Sequence, residues 1–515
     1  MRLYGSFTEE SKAKAVAGIA RTGGIVRAES AKLREVIEIR ENKETKSFPA
    51  FALIILLLSA FMDLVDTTIV NIALPSIQKD LNAGASAAQW TVDAYLLGLA
   101  LFIITGGRLG DIYGRKKMFL IGVAGFTITS ALSGFAPTVD VLIAARFLQG
   151  AAAAIMVPQV LSFIQVLFLP EERAAAFGAY SAVLGFATVC GPLLSALLIS
   201  NNILGLTWRP IFLINVPVGI FTLIAAFLLF KESKSEHPLR VDAFGIVLIS
   251  SALLMLLYPL IQGNNLGWPI WTYISMVAAI VVGGIFVLYE KHRIKKEKSP
   301  LVALNLFNFK SFSGGVLVSS LLNLALGGFF LVITFYLQQG LGFAPLQAAL
   351  TALPFSFMVP VMASLSVMKL APVFGRKVVT LGAFLFAVGL VGVVFTLQSG
   401  GSGLNGWALL PALAVSGAGM GMVVAPILDF ALAQVPTQDA GSASGLFSML
   451  NQVGSCIGVA VIGTIFFNRL GSTFAFISFA SGAKMATLCA ASILLLTVPF
   501  TLLLPRKVHQ HTENG

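Results

Sequence analysis

The sequence predicts an all-α polytopic membrane protein of about fourteen spanning helices, built as two six-helix bundles with two further helices between them. Three observations carry that expectation. The chain of 515 residues is 57% hydrophobic and 11% charged, where soluble domains carry about 25% charged residues. Its apolar residues fall into segments of roughly 20, the length that crosses hydrocarbon as a helix. Its basic residues gather in alternate loops between those segments, as they do on the cytoplasmic side of a membrane.

Residues 1–47 stand apart from the rest of the chain: they are polar and basic, with a Gly23-Gly24 pair. We read them as an unstructured extension. A short helix over 31–44, with Leu33, Val36 and Ile37 on one side, is the alternative and would lie on the membrane surface. The stretch lacks the pattern of a signal peptide.

The first bundle is expected over 48–230, with spans near 51–74, 89–107, 118–136, 142–167, 174–199 and 211–230. The inserted pair, near 243–261 and 270–288, occupies 231–312 together with its linker. The second bundle, 313–505, holds spans near 315–338, 346–368, 378–397, 407–427, 443–467 and 485–504, and 506–515 form a tail.

Charge orients this topology. Alternate loops hold Arg108, Arg115, Lys116 and Lys117; Arg173; Lys231, Lys234 and Arg240; Lys291, Arg293, Lys295, Lys296 and Lys298; and Lys369, Arg376 and Lys377, with Arg506 and Lys507 in the tail. The other loops offer only Lys79, Arg209, Arg469 and Lys484. The asymmetry predicts a multi-pass protein of the cell (inner) membrane with both termini cytoplasmic. A net charge of +11 then reflects loops facing anionic lipid head groups, and no nucleic-acid partner is implied. Cys190, Cys456 and Cys489 lie in apolar stretches without metal-ligand or redox spacing, so they read as small buried hydrophobes. No metal or cofactor is expected.

The triplet Gly114-Arg115-Lys116 after the second span recurs as Gly375-Arg376-Lys377 after the tenth. Its matching place in both halves suggests an internal duplication, an architecture that sets a substrate site near the midplane between the repeats.

Ionisable residues within spans are rare and functional by default. Asp63 and Asp66 lie in the first span, three residues apart and so on one helical face. Asp93 lies in the second span and Arg146 in the fourth. A low-dielectric site disfavours an ionised carboxylate and a nearby guanidinium favours it. That balance is what a proton-coupled carrier needs. The same residues also fit a static ion pair between helices, or direct binding of a cationic substrate.

The loop Gly107-Arg108-Leu109-Gly110-Asp111-Ile112-Tyr113-Gly114-Arg115-Lys116 resembles the inner-loop signature of the major facilitator superfamily, matched at Gly107, Asp111, Gly114, Arg115 and Lys116. Its glycines allow a sharp reversal. Asp111, paired with Arg115 or set against a helix N-terminus across the halves, would latch an inner gate. Asp66-Thr67-Thr68-Ile69-Val70-Asn71-Ile72-Ala73-Leu74-Pro75 resembles the first-helix signature of the fourteen-span drug:proton antiporters. So, in order, do the stretches from Trp90 to Leu96, Arg146-Phe147-Leu148-Gln149-Gly150, Trp208 to Pro217, Tyr336 to Gln339 with Leu353-Pro354, and Gly441 to Ala460. The likeness covers about 51–504. It implies export of small amphipathic or lipophilic compounds in exchange for protons, with Asp66 and Arg146 in the coupling and Asp63 and Asp93 as further candidates.

Two departures stand out. The antiporter motif of the fifth helix, usually Gly-Pro-x-x-Gly-Gly, reads Gly191-Pro192-Leu193-Leu194-Ser195-Ala196. Gly191 and Pro192 still permit a bend. In the second half Pro372 stands where Asp111 aligns, so that copy lacks its acid. Of the 40 phenylalanines, most are expected against lipid or neighbouring helices and a minority along a central cavity. The expected partners are a small-molecule substrate, protons and membrane lipids; a periplasmic adaptor is left open. Rival readings are a proton-coupled exporter or symporter of one metabolite or siderophore, and a non-transporting sensor. Nothing in the sequence points to an enzyme: Gly23-Gly24 lacks the Lys-Ser/Thr of a phosphate loop.

Overall fold

The computed structural model describes residues 25–168, 170–234, 242–263, 266–296, 301–302, 304–435, 440–470 and 476–506, without the side chains of 25–50 and of a few residues elsewhere. Packing divides the chain into Met1–Ile54 and Ile55–Gly515. In the first unit the backbone is helical from Ile25 onward. The second unit holds the helical bundles.

Among the described residues there are fourteen helices long and apolar enough to cross a bilayer, and no strand. They are α1 (Phe51–Asp80), α2 (Ala85–Tyr113), α3 (Arg115–Gly134), α4 (Val139–Leu167), α5 (Gly178–Ser200), α6 (Pro210–Leu229), α7 (Ala243–Gln262), α8 (Ile270–Lys295), α9 (Lys310–Gly340), α10 (Pro345–Phe374), α11 (Lys377–Gly400), α12 (Gly406–Leu432), α13 (Ala443–Leu470) and α14 (Phe476–Leu503). Local chemistry sets their ends. Thr138 caps α4 by accepting the Val141 N–H at 3.4 Å, and Asp242 caps α7 by accepting that of Gly245 at 3.0 Å. Pro210 opens α6, where its missing N–H costs nothing.

Some helices run past the ends that hydropathy suggests. α2 continues to Tyr113 instead of 107, and α8 to Lys295 instead of 288. Long cationic side chains carry their charge back to the interface while the backbone stays helical. Arg108, Asp111 and Glu290 therefore sit on helices, not in loops.

In the first bundle, α1–α6, α2 and α3 both pack along α4, and α3 also along α6. In the second, α9–α14, α9 packs on α13 and α14, while α12 lies between α10 and α11. α7 and α8 pair with each other, and α7 reaches both α2 and α13. The outer side of the pair is apolar and bare, with Ile280 75% and Leu288 68% exposed, as suits a surface in lipid.

The signature turns of the two halves are built alike. Gly114 has φ +113° and Gly375 φ +58°, conformations that a side chain would strain. Each glycine N–H bonds back to its own helix, Gly114 to Gly110 O and Gly375 to Ala371 O, both at 2.9 Å. The next N–H then reaches the chain just beyond the last span of its own bundle. Arg115 N–H donates to Ser233 O at 2.9 Å, and Arg376 N–H to Arg506 O at 3.2 Å. The two turns thus share a hydrogen-bonding pattern as well as three residues.

The bundles meet along two seams, α2 with α13 and α5 with α10. Gln89 Nε2 crosses the first seam to Val459 O at 3.1 Å. We call the face that carries residues 115–117 the basic face. At the opposite face the bundles are drawn together: Gln338 Nε2 donates to Ile72 O at 2.8 Å and Gln339 Nε2 to Gln78 Oε1 at 3.0 Å. Beside these bonds Ile72, Ala196 and Ala349 form a buried contact among α1, α5 and α10, backed by Leu193 and Leu346. Gln338 and Gln339 lie in a π-helical turn, Tyr336–Gly340, at the end of α9.

Candidate functional site

Asp66, near the middle of α1, is fully buried, and so is Arg146 of α4. The Arg146 guanidinium is ion-paired to Asp66 Oδ2. The other carboxylate oxygen, Oδ1, accepts Gln149 Nε2 and Asn215 Nδ2, each at 2.9 Å. Asn215 sits where α6 changes from its first short helix to its second, at Ile214. It also donates to Ser130 Oγ of α3 at 3.0 Å, whose hydroxyl donates to Phe212 O at 2.9 Å. Donors from α4 and α6 thus converge on one carboxylate of α1, with α3 one bond beyond.

Arg146 is held on every side. It donates to Gln149 Oε1 at 2.9 Å and to Thr91 O at 3.3 Å. Its guanidinium lies 4.3 Å from the centre of the Tyr95 ring and 5.5 Å from that of Phe212, both good cation–π distances. Close packing of α2 on α4 makes this possible: a Cβ at Gly150 would collide with the Tyr95 carbonyl. Tyr95 links the clasp to the other acid of α1, because its hydroxyl donates to Asp63 Oδ1. Asp63 is only half-buried. The two acids on one helical face are thus differently placed: Asp66 is sealed and saturated with donors, and Asp63 keeps an open side. They are joined through a ring that supports the arginine.

Asp93 belongs elsewhere. Thr91 and Tyr95 lie one turn apart on the α2 face that meets Arg146, while Asp93 points to α13, where its backbone carbonyl accepts Cys456 Sγ at 4.0 Å. It is fully buried, and neither carboxyl oxygen has a hydrogen-bond partner among the described residues.

At the basic face Asp111 Oδ1 pairs with Arg115 at 3.1 Å, four residues on. Glu232, just past α6, accepts the Lys116 and Lys117 N–H groups at 3.0 and 3.1 Å, placing its charge at the positive end of α3. Lys116 Nζ donates to Phe227 O at 2.7 Å. Gly107 lies 3.7 Å, by its would-be Cβ, from Pro158 of α4. These contacts all lie within the first bundle and the segment after it. Of the two partners expected for Asp111, the structure presents Arg115 and, among the described residues, no helix across the halves.

Residues 56–243 and 238–459 match the Major Facilitator Superfamily model. The chain belongs to the major facilitator superfamily. The probable actinorhodin transporter of Streptomyces coelicolor is 40% identical over 423 residues, 82% of this chain and 73% of that one. The tetracenomycin C resistance and export protein of Streptomyces glaucescens is 34% identical over 412 residues, 79% and 74% of the two chains. In fold, the chain is similar to the crystal structure of a bacterial homologue of the human lysosomal transporter Spinster, inward-facing and occupied, with a TM-score of 0.63 at 15% identity over 88% of this chain and 96% of that one. The molecule is therefore a multi-pass secondary transporter of the superfamily's multidrug-efflux branch and not an enzyme.

Within the superfamily fold, the altered fifth-helix motif retains close packing. A Cβ at Gly191 would collide with Thr68 Oγ1, two residues from Asp66, so α5 lies directly on the helix that carries both acids. The helix continues through Pro192 to Ser200. Ser195, at the first of the two replaced glycines, is buried. In the second half, where Pro372 replaces the acid, Arg376 turns to carbonyl oxygens, Leu502 O at 2.6 Å and Leu504 O at 2.8 Å. Gln149, Asn215 and Tyr95 fall inside the motif stretches named above, which assign them no role. Their signal was available: amides inside apolar spans require partners.

Proposed function

We propose that the chain exports small amphipathic or lipophilic compounds, of the antibiotic kind named for its relatives, in exchange for protons that enter through the Asp66–Arg146 clasp. The observation that carries the reading is a sealed carboxylate with three donors, joined through Tyr95 to a second carboxylate with an open side. A proton on Asp66 removes the counter-charge of Arg146. The guanidinium then keeps Thr91 O, Gln149 Oε1 and the Tyr95 face, and its nearest remaining anion is Asp63, across that ring. Loading one acid therefore shifts a buried cation toward the other and loosens the hold of α4 and α6 on α1. Release of the proton restores the clasp.

In this reading the basic face is cytoplasmic, the two bundles rock about the midplane, and the Asp111–Arg115 loop latches the basic face when the bundles close there. The membrane potential drives an inward proton with about 2.3 kcal/mol per 100 mV. The test uses purified protein in proteoliposomes with an imposed pH gradient, and tetracenomycin C, puromycin and ethidium as probes. Wild type is expected to move at least one probe against lumenal pH change, and Asp66→Asn to abolish gradient-driven movement. Full-rate gradient-driven export by Asp66→Asn would remove the coupling role.

A further inference from the structure

A second charged cluster lies at the basic face, away from the clasp. Asp242, which caps α7, is 1% exposed and Glu290, near the end of α8, is 0% exposed. Asp242 Oδ2 is paired with Arg293 Nε at 3.2 Å, and its Oδ1 accepts the Tyr289 hydroxyl at 3.0 Å. Arg293 in turn donates to that hydroxyl at 3.0 Å. Glu290 meets Asp242 beside Gly245, where both carboxylates lie within 3.0 Å of a would-be Cβ, and it accepts the Val302 N–H at 3.0 Å. Arg108, at the basic end of α2, lies in the field of both carboxylates and donates to Leu301 O at 3.3 Å.

Two buried acids thus lie beside two half-buried arginines. They come from α2, from both inserted helices and, through Leu301 and Val302, from the linker that leads to α9. Removing one member of such a set strands a charge, which costs far more than an exposed pair is worth. The preceding linker is fixed on the same side, because Glu232 and Ser233 hold the start of α3. At the other end of α7 the attachments are weaker: Tyr258 stacks against Trp90 of α2, with centroids 6.3 Å apart, and Leu260 O accepts a single bond from Thr464 of α13 at 2.9 Å.

We infer that Arg108, Asp242, Glu290 and Arg293 form a clasp that fixes the inserted helix pair to the first bundle, so that α7 and α8 travel with α1–α6 and slide on α13 when the bundles rock. Arg108 is thereby a positioning residue of the transport cycle: it joins the signature region of α2 to the linker that pulls on α9. The inference rests on the rocking proposed above.

Spin-label distances in the full-length protein test it, with Cys190, Cys456 and Cys489 replaced by alanine. Labels go on exposed Lys117, Lys291 and Phe374, at the basic ends of the first bundle, the inserted pair and the second bundle. Two states are imposed at the opposite face. A Gln78→Cys/Gln339→Cys disulfide, formed before labelling, holds that face shut, and Ala349→Trp, too large for its buried contact, holds it apart. Between them the 117–374 and 291–374 distances are expected to shorten and the 117–291 distance to stay fixed. If 117–291 changes while 291–374 holds, or if all three change, the clasp does not anchor the pair and the inference falls alone. If 117–374 does not change, rocking fails and the inference falls with it. Arg108→Gln and Glu290→Gln are expected to broaden the 117–291 distribution and Arg108→Lys to narrow it again. If the first two fail to fold, Tyr289→Phe removes only the hydroxyl between Asp242 and Arg293 and reads the same effect. Distributions as narrow as wild type would remove the cluster's role.

Discussion

Replacing Asp66 with asparagine changes one charge and almost no volume, so its cost isolates the electrostatics of the clasp. In wild type the carboxylate takes the Arg146 ion pair and two amide bonds of 2.9 Å. The amide bonds are the smaller share: side-chain hydrogen bonds inside membrane proteins average about 0.6 kcal/mol and reach about 1.7. The ion pair is the larger. Removing one partner of a fully buried pair costs about 3–5 kcal/mol, because the other charge stays behind without compensation. Asp66→Asn is therefore expected to destabilise the fold by about 3–5 kcal/mol, and Asn215→Ala by about 1 kcal/mol. Arg146→Gln should cost a similar amount, and because the double variant strands neither charge, it should cost less than the sum of the two by about 2–3 kcal/mol. Tryptophan fluorescence during unfolding in mixed micelles measures wild type, the three single variants and the double variant. Strict additivity of the two charge substitutions, or an Asp66→Asn cost no larger than that of Asn215→Ala, would refute the claim that this aspartate is what holds the arginine.

Two further outcomes concern the ends of the molecule. Glu232→Ala leaves the Lys116 and Lys117 N–H groups without their carboxylate; it should cost about 0.5–2 kcal/mol, as loss of an N-cap does, and hydrogen exchange over the first turn of α3 should quicken while α4 is unaffected. Gln338→Ala removes the bond to Ile72 O across the opposite face; a cysteine placed at Ser76, beside the crevice of about 660 Å³ there, should then react faster with a water-soluble maleimide than it does with Gln338 intact.

The fold was legible because lipid imposes it. Each span must be a helix that satisfies its own backbone, so counting apolar segments gives their number and order. Helix ends were less legible: hydropathy stops at Arg108 and Glu290, whereas the backbone does not, since the charges there are met by partners distant in sequence. The acid–arginine pair was readable from four charges in oil. What completed it was not, because Gln149 and Asn215 are brought to Asp66 by packing between α4, α6 and α1. The cluster at Asp242 and Glu290 was hidden for the same reason, its arginines resembling ordinary basic residues of a loop. Asp63 and Asp66 differ by exposure and partners, which spacing alone does not encode.

The matched turns at Gly114 and Gly375 have an unequal upkeep. Each depends on a carbonyl contributed by chain that leaves its own bundle, at Ser233 and at Arg506. The first carbonyl is tethered on both sides, because the polypeptide goes on into α7. The second lies just past α14, the last of the described spans. Trimming the chain behind Leu504, or splicing a stiff fusion partner onto it there, deprives one repeat of its fastening and spares the other, so a manipulation usually regarded as innocuous would act on half of a two-part machine.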